Sequence, residues 1–422
     1  MNKRTLAGLL AVNLGVNAYW WVENFWINLY WVREVDPSAL NVAAMVAVSA
    51  VVGVATQVVV GALSDSSRSR FGRRRGFVLA GGALGALAMA SFPLVRVARA
   101  AWDNLAAVLW LAVLLDAAIT FFGDMTTPTR LALFKENTTT SNRGKYNTHV
   151  AVAAGAGALS LLVLYWTGFE LGDAYFYLGA LLLFVGAAAC FALVDDPPVP
   201  DNPRRVGECL REVFRRKSYR EHPNFYHVLL VIALASFGAN VSGNFVYIYL
   251  ENSLGLDQVA VGTVGAASSA FGVVLLGATW LSDSRGRKPV TAACLAAGSV
   301  GTAAMFFYRG TWLPGIVLAL GVGGFTGAGQ TVLDVWLQDS CPEEMVSSLL
   351  AYQMVARVVP MVPGSLLGGF LADAFASSPG LYGPEFFLAG ALVVALAALG
   401  ALFLEETSAS RGFLVATGGG SA

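Results

Sequence analysis

The sequence predicts an all-α integral membrane protein, and three observations lead there. Hydrophobic residues make up 56% of the 422 and charged residues only 13%, about half the charge of a soluble globular chain. Apolar stretches long enough to cross a bilayer, which takes about 20 residues each, recur twelve times. They fall six and six around one long polar connection, and the two halves repeat a motif. An ordinary soluble enzyme is excluded. Lys+Arg and Asp+Glu are balanced at 27 each, so no basic excess points to nucleic acid and none is expected as a partner.

In chain order the pattern predicts spans over residues 5–31, 41–64, 76–97, 104–128, 146–168, 174–194, 224–250, 258–281, 289–308, 313–336, 346–372 and 384–404. The first follows a short basic start, Met1 to Arg4. It is too long for a signal-peptide core and lacks a small-residue cleavage end, so it reads as a retained transmembrane helix. The sixth and seventh are separated by residues 195–222, which open with DDPPVPDNP and carry seven Lys or Arg. Four domains are therefore expected: a six-helix bundle over 1–194, a central loop over 195–222, a second bundle over 223–405, and a tail over 406–422. Cys190, Cys209, Cys294 and Cys341 are scattered singly, which predicts neither a disulfide framework nor a metal site.

Topology follows from the cations, because Lys and Arg are retained on the cytoplasmic side. With the N-terminus inside, inner segments hold 22 Lys or Arg and outer loops hold four, Arg33, Arg96, Arg99 and Arg309. Both termini are then cytoplasmic. After the second span stands GALSDSSRSRFGRRRGF (61–77), and after the eighth stands GATWLSDSRGRKP (277–289). Each places an Asp at a helix end and a Gly before a basic run, which topology setting alone does not require.

These residues carry a resemblance. Gly61, Asp65, Gly72, Arg73 and Arg74, with Asp283, Gly286, Arg287 and Lys288, resemble the repeated loop of the major facilitator superfamily. The resemblance covers essentially the whole chain. The longer first loop, Ser69-Arg70-Phe71-Gly72-Arg73-Arg74-Arg75, is similar to that of the glycoside–pentoside–hexuronide cation symporters and sucrose-type transporters. So is Pro128-Thr129-Arg130-Leu131-Ala132-Leu133 followed by Glu136 and Arg143. Gly76 stands where that branch has Pro, and Thr127 where it has Gly. The second span lacks the carboxylates that the melibiose-permease branch uses for its cation, with Gln57 the largest polar side chain deep within it. The resemblance implies a sugar or glycoside carried by cation symport, with a proton favoured as the coupling ion, and two bundles rocking around a midplane site. It also implies gating roles: Asp65 would hold the eleventh helix and Arg130 when the inner side is closed, and Asp283 would do the equivalent in the other half. An anion at a helix N-terminus is favoured by the macrodipole, so the latch is physically reasonable.

Polar side chains within spans are costly and usually face a cavity. In the first span Asn13, Asn17, Trp20, Trp21, Asn24 and Asn28 recur at three- and four-residue spacing, forming a stripe with Glu23 beside it. Aromatic rings beside amides suit a sugar, so Asn17, Trp20, Trp21 and Asn24 are substrate-binding candidates. Trp26, Tyr30 and Trp31 sit near the outer end and read as an interfacial belt. In the fourth span Asp116, Thr120 and Asp124 share a face within about 80°. Asp116 is the better candidate for a proton-binding carboxyl, whereas Asp124 could equally form a salt bridge to Arg130 or Arg143. The second half supplies Asn240, Asn244 and Tyr247 in the seventh span, Gln330 and Asp334 in the tenth, and Gln353 and Arg357 in the eleventh. Arg357 should have a carboxylate partner among Asp116, Glu23 and Asp334, either switching with transport or permanent. Glu23, Asp116, Asp124, Asp334 and Arg357 are thus coupling candidates, and Asn240, Asn244, Gln330 and Gln353 substrate-binding ones. His149 reads as a proton carrier or as an ordinary polar group near a helix end.

The function these features point to is secondary active transport of a small polar solute, by a monomer in a cell membrane and without cofactor. An exporter or antiporter of amphipathic or anionic molecules, with Arg357 as an anion ligand, is the alternative, and a non-transporting membrane sensor a more distant one. HExxH, GxSxG and P-loop motifs are absent from the sequence, so an enzyme is not expected.

Overall fold

A computed structural model describes residues 2–67, 69, 71–138, 143–168, 171–196, 222–340 and 349–406. The chain divides into two compact units, Met1–Glu208 and Cys209–Ala422. Among the described residues eleven helices are long and apolar enough to cross a membrane.

The first unit begins with α1 (Lys3–Trp21), which runs through a π-helical segment, Val22–Ile27, into α2 (Asn28–Glu34). Then come α3 (Ala39–Ser66), α4 (Arg75–Ser91), α5 (Leu94–Ala101), α6 (Leu105–Glu136), α7 (Arg143–Trp166) and α8 (Ala174–Leu193). Ser38 and Asn104 start α3 and α6 by accepting from the N–H groups of Asn41 and Ala107, which satisfies donors the first turn leaves free. Pro93 separates α4 from α5. Helices of this unit meet closely because hydrocarbon gives them no hydrophobic drive to associate and small residues let backbones approach. A Cβ on Gly15 of α1 would run into the Leu182 carbonyl of α8, and one on Gly157 of α7 into that of Leu14.

The second unit comprises α9 (Pro223–Gly243), α10 (Val246–Ile248) with a π-helical segment Tyr249–Ser253, α11 (Gln258–Ala270), α12 (Gly272–Arg285) and α13 (Arg287–Phe307). It continues with α14 (Leu313–Gly323), α15 (Phe325–Asp339), α16 (Leu349–Val358), α17 (Met361–Ala374) and α18 (Glu385–Leu402). Its core packs Phe225, Ile232, Leu295, Leu333, Trp336 and Val394, and the Trp336 indole donates to the Glu405 carbonyl at 3.2 Å. The expected eighth span, 258–281, is interrupted at Phe271 between α11 and α12, and part of it lies outside the described residues that were counted. Phe271 turns its ring onto α14, within 2.6 Å of where a Cβ on Gly321 would stand. Pro360 likewise divides the eleventh span between α16 and α17.

Filling the α1–α8 contact tests the packing. Gly15→Leu is expected to lower stability by about 1–3 kcal/mol through overpacking, read as a fall in the thermal unfolding midpoint of the detergent-solubilised protein.

Candidate functional site

The deepest polar structure of the first unit is built on α6. Asp116, 1% exposed, accepts a hydrogen bond from the Ser49 hydroxyl of α3. Two turns on, Asp124 accepts from the Gln57 amide of α3 at 2.9 Å and from Thr127 at 3.3 Å. Thr120, between them, reaches Glu23 of the π-helical segment at 3.5 Å. Among the described residues none of these three carboxyls has a Lys or Arg within ion-pair distance. The alternative of an Asp124–Arg130 bridge is not what forms: the Arg130 guanidinium donates to the Asn13 side-chain oxygen at 2.5 Å. Pro128, whose missing N–H leaves a gap in the α6 ladder, lies against Gly61 of α3 in ordinary contact.

The first helix differs from the sequence expectation in two ways. Asn13, Asn17, Asn24 and Asn28 each donate to the carbonyl four residues earlier, at 2.7–2.9 Å. One N–H of each amide is therefore committed to the helix itself, leaving one N–H and the oxygen for other partners. The wider π turn then interrupts the stripe, leaving Asn24 exposed and Asn28 buried. Trp20 lies against Gly123 of α6, whereas Trp21 stacks on Phe25 at 4.7 Å and faces Tyr165 and Tyr175. The interfacial belt expected of Trp26, Tyr30 and Trp31 is a correction: all three are buried, and Trp26 and Tyr30 join a cluster with Tyr175, Phe92 and Phe176. Tryptophans exposed at helix ends are instead Trp102, Trp166 and Trp312. His149 is exposed on α7, its ring edge-on to Tyr146.

In the second unit Arg357 finds its carboxylate in Asp334, of the three the sequence left open. The fork is bidentate, at 3.2 Å and 2.5 Å, and Gln330 accepts at 3.4 Å from its side chain and 3.2 Å from its carbonyl. Gln353 is half-buried one turn before Arg357. Asn240 donates to the Ser236 carbonyl and Asn244 to the Ser365 hydroxyl, both at 2.8 Å.

The basic loops are tied down by acids that sequence reasoning did not single out for that task. Gly72 and Gly286 adopt φ of +98° and +102°, a region that glycine enters without a Cβ penalty. A Cβ at either would strike a carboxylate, Asp196 at the first and Glu406 at the second. Those carboxylates cap the helices that follow: Asp196 accepts from the Arg74 and Arg75 N–H groups at 2.8 and 3.3 Å, and Glu406 from those of Arg287 and Lys288 at 2.9 and 3.0 Å. Buried Arg73 and Arg74 both grip Glu136 at the end of α6, at 2.6 and 2.8 Å. Arg287 pairs with Asp339 at the end of α15 at 3.0 Å and with Asp283 at 2.5 Å. The Asp65 and Arg143 side chains lie outside the described residues. Matched acid pairs, Asp195-Asp196 after the sixth span and Glu405-Glu406 after the twelfth, are the sequence signal that marks these caps.

Two helical units, each with a glycine-hinged basic loop capped from just beyond its own last helix, find their counterpart in a family model. That model, the Major Facilitator Superfamily, matches residues 9–365. The chain belongs to this superfamily. It is accordingly a multi-pass membrane protein of a transporter superfamily. A relative, the class G tetracycline resistance protein of Vibrio anguillarum, is 32% identical over 193 residues, 44% of this chain. The chain spans just under half of that relative's length, 46%. Among solved structures, a variant of the nucleoside transporter NupG superposes with a TM-score of 0.73 at 14% identity, covering 95% of this chain and 99% of that one. A D-xylose-proton symporter gives 0.66 at 18% identity, covering 96% and 97%. The inward-open xylose transporter XylE from E. coli gives 0.66 at 17%, covering 97% and 98%. At these identities the superfamily fold is what is shared.

Removing either loop cap tests the repeat. Asp196→Ala and Glu406→Ala should each cost about 0.5–2 kcal/mol of stability, as loss of a helix cap does, with Asp196→Asn and Glu406→Gln closer to wild type in the thermal unfolding midpoint.

Proposed function

We propose that this transporter is a proton-coupled symporter of a small polar solute, in the sugar or glycoside class, working by alternating access in the cell membrane. The observation that carries the reading is the pair of buried carboxyls on α6, Asp116 and Asp124, held by Ser49 and Gln57 with no Lys or Arg in ion-pair distance among the described residues. A carboxyl with neutral partners can take up and release a proton without breaking an ion pair, and ionisable groups inside spans mark proton relays. Asp334, by contrast, is neutralised by Arg357, so this pair serves as a structural bridge and coupling belongs to the first unit, with Glu23 beside it.

The loop and α6 motifs support the glycoside–pentoside–hexuronide and sucrose-type branch. The lack of carboxylates on α3 favours a proton over sodium. Asn17, Trp20 and Asn24, with Asn240, Gln330 and Gln353, are the residues assigned to the solute; Trp21 and Asn244 support it through their neighbours. The broken pair α11–α12 serves as the eighth of twelve spans, and the excess of Lys and Arg places both termini in the cytoplasm. Residues 1–194 and 223–405 act as the two bundles, 195–222 as the connection and 406–422 as the tail, in a monomer. Asp65, with Gly61, Gly72, Arg73, Arg74 and Arg130, gates one half, and Asp283, Gly286 and Arg287 gate the other. The tetracycline-resistance relative favours a second reading, export of an amphipathic molecule in exchange for protons, which would use the same carboxyls.

Vesicle transport separates the two. Labelled disaccharide should accumulate in energised vesicles, survive sodium removal and collapse with an uncoupler; sodium-dependent uptake sinks the proton assignment, and proton-driven extrusion of labelled tetracycline without sugar uptake favours export. In the same vesicles Asp116→Asn should abolish accumulation while leaving most solute exchange, and equal loss of both would contradict its coupling role.

A further inference from the structure

The carboxyls of α6 are held in a regular seam. Ser49, Gly53 and Gln57 recur every four residues on α3, as do Asp116, Thr120 and Asp124 on α6. Ser49 meets Asp116 and Gln57 meets Asp124, each across 67 residues of chain. Gly53 stands at the same offset from Thr120: a Cβ there would lie 3.3 Å from the Thr120 methyl and 2.5 Å from Asp124 Oδ2. A constant offset means that the two helices run parallel and in step, so one rotation or slide would break every pair together. Ser49 and Asp116 are both buried, and Asp116 Oδ1 is a sealed oxygen with no hydrogen-bond partner among the described residues. Such an atom calls for an explanation: a neutral acid leaves an oxygen bare at less cost than a carboxylate does.

The groups facing the seam are few. The first helix brings Tyr19, whose hydroxyl donates to the Ile119 carbonyl at 2.8 Å, and Glu23, bonded through Thr120. On α6 itself Arg130 is turned to Asn13. From α4, residues 76–91 contain no titratable side chain, and α5 commits Arg96 to Asp173 and Arg99 to the Val35 carbonyl. The immediate polar contacts of the two α6 carboxyls therefore come chiefly from α3.

We propose that Ser49 and Gln57 are positioning residues of the coupling site, holding the Asp116 and Asp124 carboxyls and setting the pH range over which each exchanges its proton. This rests on the coupling reading above. A serine hydroxyl donates to a carboxylate and accepts from a carboxylic acid, so Ser49 stays bonded to Asp116 in both states. Gln57 offers Asp124 an amide N–H, which favours the carboxylate. Gly53 leaves the room that lets Asp124 reach it. The seam also lies on the helix that ends in the basic loop: Gln57 is eight residues, about 12 Å, from Asp65. Proton exchange that shifts α3 against α6 would be carried to that loop along a single helix.

The test is an infrared titration of the full-length protein in detergent, following the protonated-carboxyl stretching band from acid to alkaline pH. In wild type the component that Asp116→Asn removes should titrate. In Ser49→Ala its midpoint should move to more alkaline pH by about one unit, since a hydrogen bond to the charged form is lost, and Ser49→Thr should restore it. Gln57→Leu should move the component that Asp124→Asn removes in the same direction, and Gly53→Ala should do so by displacing Asp124. Monodispersity and thermal unfolding identify any variant that misfolds, and the α3 variants address two independent carboxyls, so loss of one leaves the other decisive. Components that titrate in wild type but stay fixed in folded Ser49→Ala and Gln57→Leu would overturn the positioning role alone. Asp116→Asn and Asp124→Asn spectra identical to wild type would overturn the coupling reading, and this proposal with it.

Discussion

Carboxyl groups inside an apolar span must be answered locally, and much of the first unit is arranged around that constraint. A charge at the centre of a bilayer costs several kcal/mol even by lenient measures, yet α6 carries Asp116 and Asp124 within one continuous helix. Neutral donors from α3 answer them. This fixes the register of α3 against α6, requires glycine at position 53, and brings Glu23 of the first helix alongside through Thr120. The second unit answers its deep carboxylate differently, with a guanidinium fork from Arg357 to Asp334. A neutral partner leaves a carboxyl free to change charge, whereas an ion pair resists it. The two units of a repeated fold thus answer their deep carboxyls with different kinds of partner.

At the helix ends the repeat is kept faithfully. Each basic loop turns at a left-handed glycine, and each is capped by an acid from just beyond the last helix of its own unit. Each is then fastened by arginine to an acid at the end of α6 or α15. Backbone N–H groups at a helix start, a macrodipole favouring an anion, and arginines that need a carboxylate all meet at one place. The charges that set topology therefore also order the loops. Transporters must break and remake such contacts in each cycle, so ties of this kind bias an equilibrium between states as well as adding stability.

The first helix shows how local backbone bonding alters what a side chain can offer. Four asparagines along it bond backward to their own helix, as polar side chains in hydrocarbon often do. Each keeps one N–H and its oxygen for other partners, and the Asn13 oxygen takes Arg130. The π-helical turn at Val22–Ile27 then rotates everything after it. Trp26, Tyr30 and Trp31 consequently enter the interior of the unit rather than the membrane interface.

The sequence by itself determined the membrane class, the repeated basic loop, the superfamily and the helix positions of the polar residues. Composition, span length and a loop motif repeated at equivalent places are properties of local stretches, and hydrocarbon leaves them little freedom. It also limited Arg357 to three partners. Only the tertiary structure decided among those partners, broke the eighth span at Phe271 and turned the first helix through a π segment. It likewise set Ser49 and Gln57 on the α6 carboxyls and brought Asp196 and Glu406 to the loops. Those outcomes depend on which faces of distant helices meet and in what register. Periodicity along one helix cannot fix this, because the pairing energy lies in contacts between residues 23 to 122 positions apart.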